Sequence, residues 1–221
     1  MRGMSKLMRI SIFQRMSACG LTVILLALLA GCSTLPVSPP DASNPIVKVA
    51  VLPIHNFTAN KDGPVWIRCG ISEMVQEKHY TVIPNDQVDR ILNENMGVTL
   101  GGQLDYTNPA TGAPSPSIVG QALDVDGLIY CNLEDFQNTA TVVFNRRKIT
   151  VKCILVNVKN ANIVWEQEEE KSAIEINARP EDLTMALIKA CRLNPLAEET
   201  AAVINKMKDE ITSGPVAAAE E

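Results

Sequence analysis

The chain has 221 residues, with 20 Lys plus Arg against 25 Asp plus Glu and a formal net charge of −5. Four of the basic side chains stand within the first 31 residues, so the remaining 190 carry 16 against 25, a charge of −9. That acidic balance argues against nucleic acid and against a polybasic hold on anionic lipid, while 190 residues suffice for one domain with a sizeable core.

Arg2, Lys6, Arg9 and Arg15 precede an almost wholly apolar run from Leu21 to Ala30, the order of a charged n-region and an h-region. The run is about half of the roughly twenty residues that cross a hydrocarbon core. It ends at Leu29-Ala30-Gly31-Cys32, which resembles the lipobox of bacterial lipoproteins. That resemblance implies cleavage before Cys32 and acylation of its thiol, and Ser33 after it implies release to the outer membrane. A secretory signal that ends beside a cysteine by chance is the other reading. With the charge excluded as a grip, attachment rests on acyl chains, of which more than one is needed for stable anchoring.

Residues 32–45 contain four prolines and no hydrophobic periodicity, the composition of an extended tether, reaching roughly 40 Å at about 3.1 Å per residue. Val47–Leu52 (VKVAVL) predicts a buried strand, and IHNFTANKDG after it a loop. Ile67, Ile71, Met74 and Val75 recur at helical spacing over 64–78, with Arg68, Glu73, Gln76 and Glu77 assigned to the polar side. Tyr80–Ile83 is a second strand. A helix then starts at Pro84-Asn85-Asp86, presents Val88, Ile91, Leu92 and Met96, and stops at Gly97 as a left-handed cap.

The stretch 97–116 breaks the pattern with glycine and proline, too long for a simple connection. A short helix over 117–123 follows, and then a meander with strands near 128–136, 140–158 (bending at Asn145) and 162–174, turning at VKNAN. Ile149, Val151, Cys153 and Leu155 share one strand face. Pro180 opens a helix with Leu183, Leu187 and Ala190 as its stripe. Leu196, Thr200, Val203, Ile204, Met207 and Ile211 continue as a second amphipathic segment, and 213–221 reads as a disordered tail.

The stretches VAVLPIHNFT, HYTVIPNDQVDRILNENMGVT, DVDGLIYCNLEDF and ILVNVKNANIVWE, spanning about residues 46–175, together resemble a family of bacterial outer-membrane lipoproteins of unsettled function, related in fold to the TolB amino-terminal domain and CsgG. The resemblance rests on Pro53, Asn56, Tyr80, Pro84, Gly97 and Trp165 and implies no catalytic residue. His79 stands where the family pattern has glycine.

Candidate chemistry is sparse. His55 follows the first strand near Asn56 and Asp62, where α/β sheets bind ligands, but a plain turn residue explains it as well. Asp124-Val125-Asp126-Gly127 begins like a calcium loop and lacks the later ligands. Cys69, Cys131, Cys153 and Cys191 are too widely spaced for a CxxC site; they read as small core residues or as the source of one bridge. Glu166, Glu168, Glu169 and Glu170 read as a solvated face paired across strands with Lys152 and Arg146–Lys148.

The expectation is an α/β (α+β) domain over 46–212: a mixed sheet of about five strands in the order 2-1-3-4-5, a β-α-β-α start, a three-stranded meander and C-terminal helices. It follows a signal at 1–31 and a lipidated tether at 32–45. The expected role is a non-enzymatic, lipid-anchored periplasmic module of the outer membrane that binds other envelope proteins, with self-association left open, no cofactor and no metal. Cys32 is the lipidation site, and Leu100, Leu104 and Tyr106 in the long loop are the partner-binding candidates, unless that loop tucks onto the core. The competing expectation is a small-ligand or hydrolytic domain using a cleft between His55 and the 97–116 loop.

Overall fold

The computed structural model describes residues 38–98, 114–141, 144–176, 184 and 194–215. Cys32, the loop residues Leu100, Leu104 and Tyr106, Cys191 and the stripe expected after Pro180 lie outside them.

β1 (Lys48–Val51) is apolar throughout its buried part because it is covered on both faces, which removes any reason for polar alternation. Val49 and Val51 enter one core and Ala50 the other. Around it run β2 (His55–Asn56), β3 (Thr81–Val82), β4 (Gly127–Ala140), β5 (Phe144–Asn157) and β6 (Ile163–Ile176), with helices α1 (Gly63–Glu77), α2 (Asn85–Met96), α3 (Pro116–Leu123) and α4 (Ala197–Glu210). The sheet order is β3-β1-β4-β5-β6, the order expected from sequence, with β2 as a sixth strand beside β4. β1 is parallel to β3 and β4, and β4, β5 and β6 form the antiparallel meander. Two residues of strand carry no periodicity, which is why β2 reads as loop until its parallel pairing to Asn132 and Leu133 is seen.

α1 and α4 cover one face, over Ile129, Leu133, Ile149, Val151, Leu155 and Trp165; α2 and α3 cover the other, over Leu128, Tyr130, Ile154 and Val156. The second covering ends at Ile154, and beyond it that face of β5 carries Lys152, Thr150, Lys148 and Arg146. Gly97 terminates α2 with φ 65°, as its position predicts. The bend expected at Asn145 lies instead at Thr141, whose N–H and hydroxyl both donate to the Phe144 carbonyl at 2.8 and 2.7 Å. Asn145 sits inside β5, 1% exposed; the turn contains neither glycine nor proline to mark it.

The packed body extends past the domain limits read from sequence. Asp41 and Asn44, in the stretch read as a tether, and Ser213 and Gly214, in the stretch read as a tail, are hydrogen-bonded to one another and to the turn after α1.

Candidate functional site

Open α/β sheets bind ligands at the carboxyl ends of their parallel strands, where the chain order reverses; here that is the end of β1, between β3 and β4. Arg68 fills it. Its Nε and Nη2 donate to the Val51 carbonyl at 3.0 and 2.9 Å, and Nη1 donates to both carboxylate oxygens of Asp89 on α2 at 2.7 and 2.8 Å. Nη2 also reaches the Asn85 carbonyl at 3.5 Å, so all three nitrogens of the guanidinium are held by internal acceptors. Arg68 is buried, contrary to the polar-side assignment. Ile71 and Val75, three and seven positions on, put it on the apolar stripe, a signal available in the sequence.

His55 stacks on Phe57, ring centroids 4.1 Å apart, and its Nδ1 is buried without a hydrogen-bond partner. The neighbours expected to assist it do other work. Asn56 Oδ1 accepts from the N–H and hydroxyl of Thr58 at 2.9 and 2.8 Å, and its amide donates to the Asn60 carbonyl. Asn60 Oδ1 accepts from the N–H groups of Asp62 and Gly63, shaping the entry to α1. The Asp62 residue is exposed. These side chains build a turn and do not converge on the imidazole.

Asp126 is likewise structural: its Oδ2 accepts from the N–H groups of Val47 and Lys48 at 3.1 and 2.9 Å, while Asp124 pairs with Lys48. Both carboxylates hold the start of β1 against β4. Among the described residues no cluster of three His, Cys, Asp or Glu is placed to hold a metal ion.

The acidic run of β6 divides by strand alternation. Lys152 lies opposite Glu168, as expected, and bonds to Glu166 at 2.8 Å; Lys148 bridges Asp135 and Glu170 at 2.8 and 3.1 Å. Hydrogen bonding to Lys148 holds the Asp135 carboxyl below its ordinary value despite partial burial. Glu169 departs from the solvated-face expectation: it points to the opposite face, is 2% exposed, and binds Gln167 and Lys206 of α4. Burial opposes its ionisation, but those hydrogen bonds prevail and lower its pKa. Arg147, also buried under α4, donates to Glu199 at 2.6 Å and Glu175 at 2.9 Å; burial opposes its charge, and the two carboxylates reverse that and raise its pKa. Cys131 and Cys153 are direct cross-strand partners, buried and joined by a disulfide, and Cys69 is an exposed free thiol.

Of the exposed large apolar side chains, three gather at the end of the sheet where β5 begins and β6 ends. Phe144 stands opposite Ile176, and Ile174 opposite Arg146, so these three apolar side chains share the face that α2 and α3 leave open. They are 39%, 72% and 67% exposed for Phe144, Ile176 and Ile174. β6 has β5 as its one strand neighbour among the described residues. A separate groove of about 370 Å³ runs between α1 and α4, lined by Trp66, Gly70, Met74 and Ile204. It does not include His55.

A family model described as "Putative lipoprotein GNA1162-like" matches residues 41–213. The fold is similar to lipoprotein GNA1162 from Neisseria meningitidis, at 20% identity over 65% of this chain and 94% of that one, TM-score 0.48. It is also similar to the PelC dodecamer from Paraburkholderia phytofirmans (11% identity, 80% and 96% of the two chains, TM-score 0.47) and to the LpoB C-terminal domain from Escherichia coli (13%, 57% and 83%, TM-score 0.39). No curated protein matches the chain.

Proposed function

Because the chain belongs to the GNA1162-like lipoprotein family, we propose that it is a lipid-anchored module on the periplasmic face of the outer membrane that acts by binding other envelope proteins, without catalysis, as part of an assembly or secretion apparatus. The observation that carries this reading is the exposed trio Phe144, Ile174 and Ile176 on the open face of the sheet, next to Lys148 and Lys152, which are paired with Glu170 and Glu166. Clustered apolar side chains on a surface otherwise satisfied mark a contact with another protein. Leu29-Ala30-Gly31-Cys32 supplies the anchor and Ser33 the sorting to the outer membrane; Leu100, Leu104 and Tyr106 supply a second contact region in the proposal. Against a hydrolytic or small-ligand cleft stands Arg68, which occupies the sheet's usual binding crevice with internal bonds.

The test places a photo-crosslinking residue at Ile176 in intact cells, with Glu94 on exposed α2 as the control position. Adducts to an envelope protein from Ile176 and none from Glu94 are expected; equal or absent adducts overturn the assigned surface. Labelled palmitate should enter the wild type and not Cys32→Ala. His55→Ala should leave the cellular phenotype intact, and its loss with normal folding moves the function to the cleft.

A further inference from the structure

We infer that the domain is clamped to its membrane arm at Ser38, so that the end of the sheet beside His79 and the 158–162 turn faces the lipid surface and the Phe144–Ile176 end is held away from it. The inference rests on acylation of Cys32 and adds an orientation to it.

The clamp is built from both termini of the described body. Lys78 Nζ donates to the Ser38 hydroxyl at 3.0 Å, and the His79 ring donates from Nε2 to the Ser38 carbonyl at 2.8 Å. The Gly214 N–H donates to the Lys78 carbonyl at 2.7 Å and the Asp41 N–H to the Gly214 carbonyl at 3.0 Å. Asn44 ties the two arms together: its amide donates to the Tyr80 hydroxyl at 2.9 Å and to the Ser213 carbonyl at 3.0 Å, while the Tyr80 hydroxyl donates to the Thr212 carbonyl. Lys78 and Tyr80 are 5% and 3% exposed and Gly214 is buried, so the network is anchored on buried residues, where unmade hydrogen bonds are costly. Ser38 is therefore a point of the rigid body and not of the tether.

Two lengths then decide the orientation. Five residues lie between Cys32 and Ser38, and the six steps from one to the other span at most about 3.3–3.6 Å each, roughly 20 Å in all. β4 advances thirteen residues from Gly127 to Ala140, about 43 Å at roughly 3.3 Å each. Gly127 is at the clamped end, because β1 pairs Val49 with both Gly127 and, on its other side, Val82, just beyond the His79–Tyr80 turn. An arm of about 20 Å cannot stand the domain on an end about 43 Å from its attachment. The net charge of −9 over residues 32–221 offers anionic lipid no overall attraction that would lay it flat. The partner that meets Phe144, Ile174 and Ile176 is accordingly one that stands off the bilayer in the periplasm.

The test uses the full chain, purified with its acyl group and placed in phosphatidylcholine vesicles containing a nitroxide-headgroup lipid. In a Cys69→Ser, Cys191→Ser background, a fluorophore is attached at Lys159→Cys or at Thr139→Cys, exposed positions at the two ends of the sheet. Several-fold stronger quenching at Lys159 is expected; equal quenching, or stronger quenching at Thr139, overturns the orientation. Asn44→Ala with His79→Ala should open the clamp and shrink the difference with the far-UV spectrum unchanged; an undiminished difference overturns the role of the clamp. Mass spectrometry of the same protein is the separate arm: lack of the acyl group overturns the anchor itself, whereas an acylated protein with no difference between its ends overturns this inference alone.

Discussion

Removing the guanidinium of Arg68 should be strongly destabilising. Arg68→Met keeps the length and apolar stem of the side chain but leaves Asp89, whose side chain is 20% exposed, without its bidentate partner, and takes two donors from the Val51 carbonyl in a residue that is 0% exposed. Breaking a buried pair from one side costs about 3–5 kcal/mol, chiefly because the surviving charge stays desolvated. For a domain of this size each kcal/mol lowers Tm by about 2–4 °C, so a fall of roughly 6–20 °C is expected. Asp89→Leu together with Arg68→Met should recover part of the loss, since an apolar pair needs no compensation. Urea denaturation of the wild type, the two single variants and the double variant supplies the cycle. A Tm within about 3 °C of wild type for Arg68→Met, combined with loss of the cellular phenotype, would refute the reasoning and make Arg68 a binding residue.

Glu169→Gln tests the docking of α4: because the Glu169 pKa is lowered in the fold, its charge favours the native state above the ordinary carboxylate value of about 4.3, and that advantage disappears as pH falls through that value and below. The Tm gap between wild type and variant should therefore be widest at neutral pH and close on acidification; a gap independent of pH would remove the charge from the explanation. Gly120→Ala should destabilise by about 1–3 kcal/mol in spite of alanine's better helix propensity, because its Cβ would lie 2.3, 2.5 and 2.9 Å from Cγ2, Cγ1 and Cβ of Val158, a stiff branched side chain. Gly70→Ala, which meets the movable Cδ1 tip of Ile204 at 2.2 Å, should cost less; the reverse ranking in urea melts would contradict the packing described. His79, with φ 69° and its ring on Ser38, predicts that His79→Gly is more stable than His79→Ala by about 1 kcal/mol, since both lose the ring contact and glycine alone escapes the left-handed cost. Equal denaturation midpoints would show that the turn relaxes.

The features decided by the sequence alone are those whose cause is local. Apolar spacing in 64–78 and 85–96 dictates two helices, Gly97 stops the second, and the run VKVAV dictates a strand buried on both sides. Alternation through Ile149–Leu155 sets which face of β5 is core, and the short turn at 158–162 sets the register that brings Lys152 opposite Glu168. Only tertiary structure decides what a polar residue inside such an element does. Arg68 and Glu169 look like surface residues until α2 and α4 arrive to cover them; Asp126 resembles a ligand until two backbone N–H groups of β1 take its carboxylate. Cys131 and Cys153 become partners because a bulge near Leu133 and the position of the β4–β5 turn set their pairing across 22 residues. The same holds for Asn44 and Ser38, which a proline-rich composition assigns to a tether: their hydrogen-bond partners lie 36, 40, 41 and 169 residues away. Composition measures only how readily a segment orders by itself, and partners at such separations come together only when the fold closes.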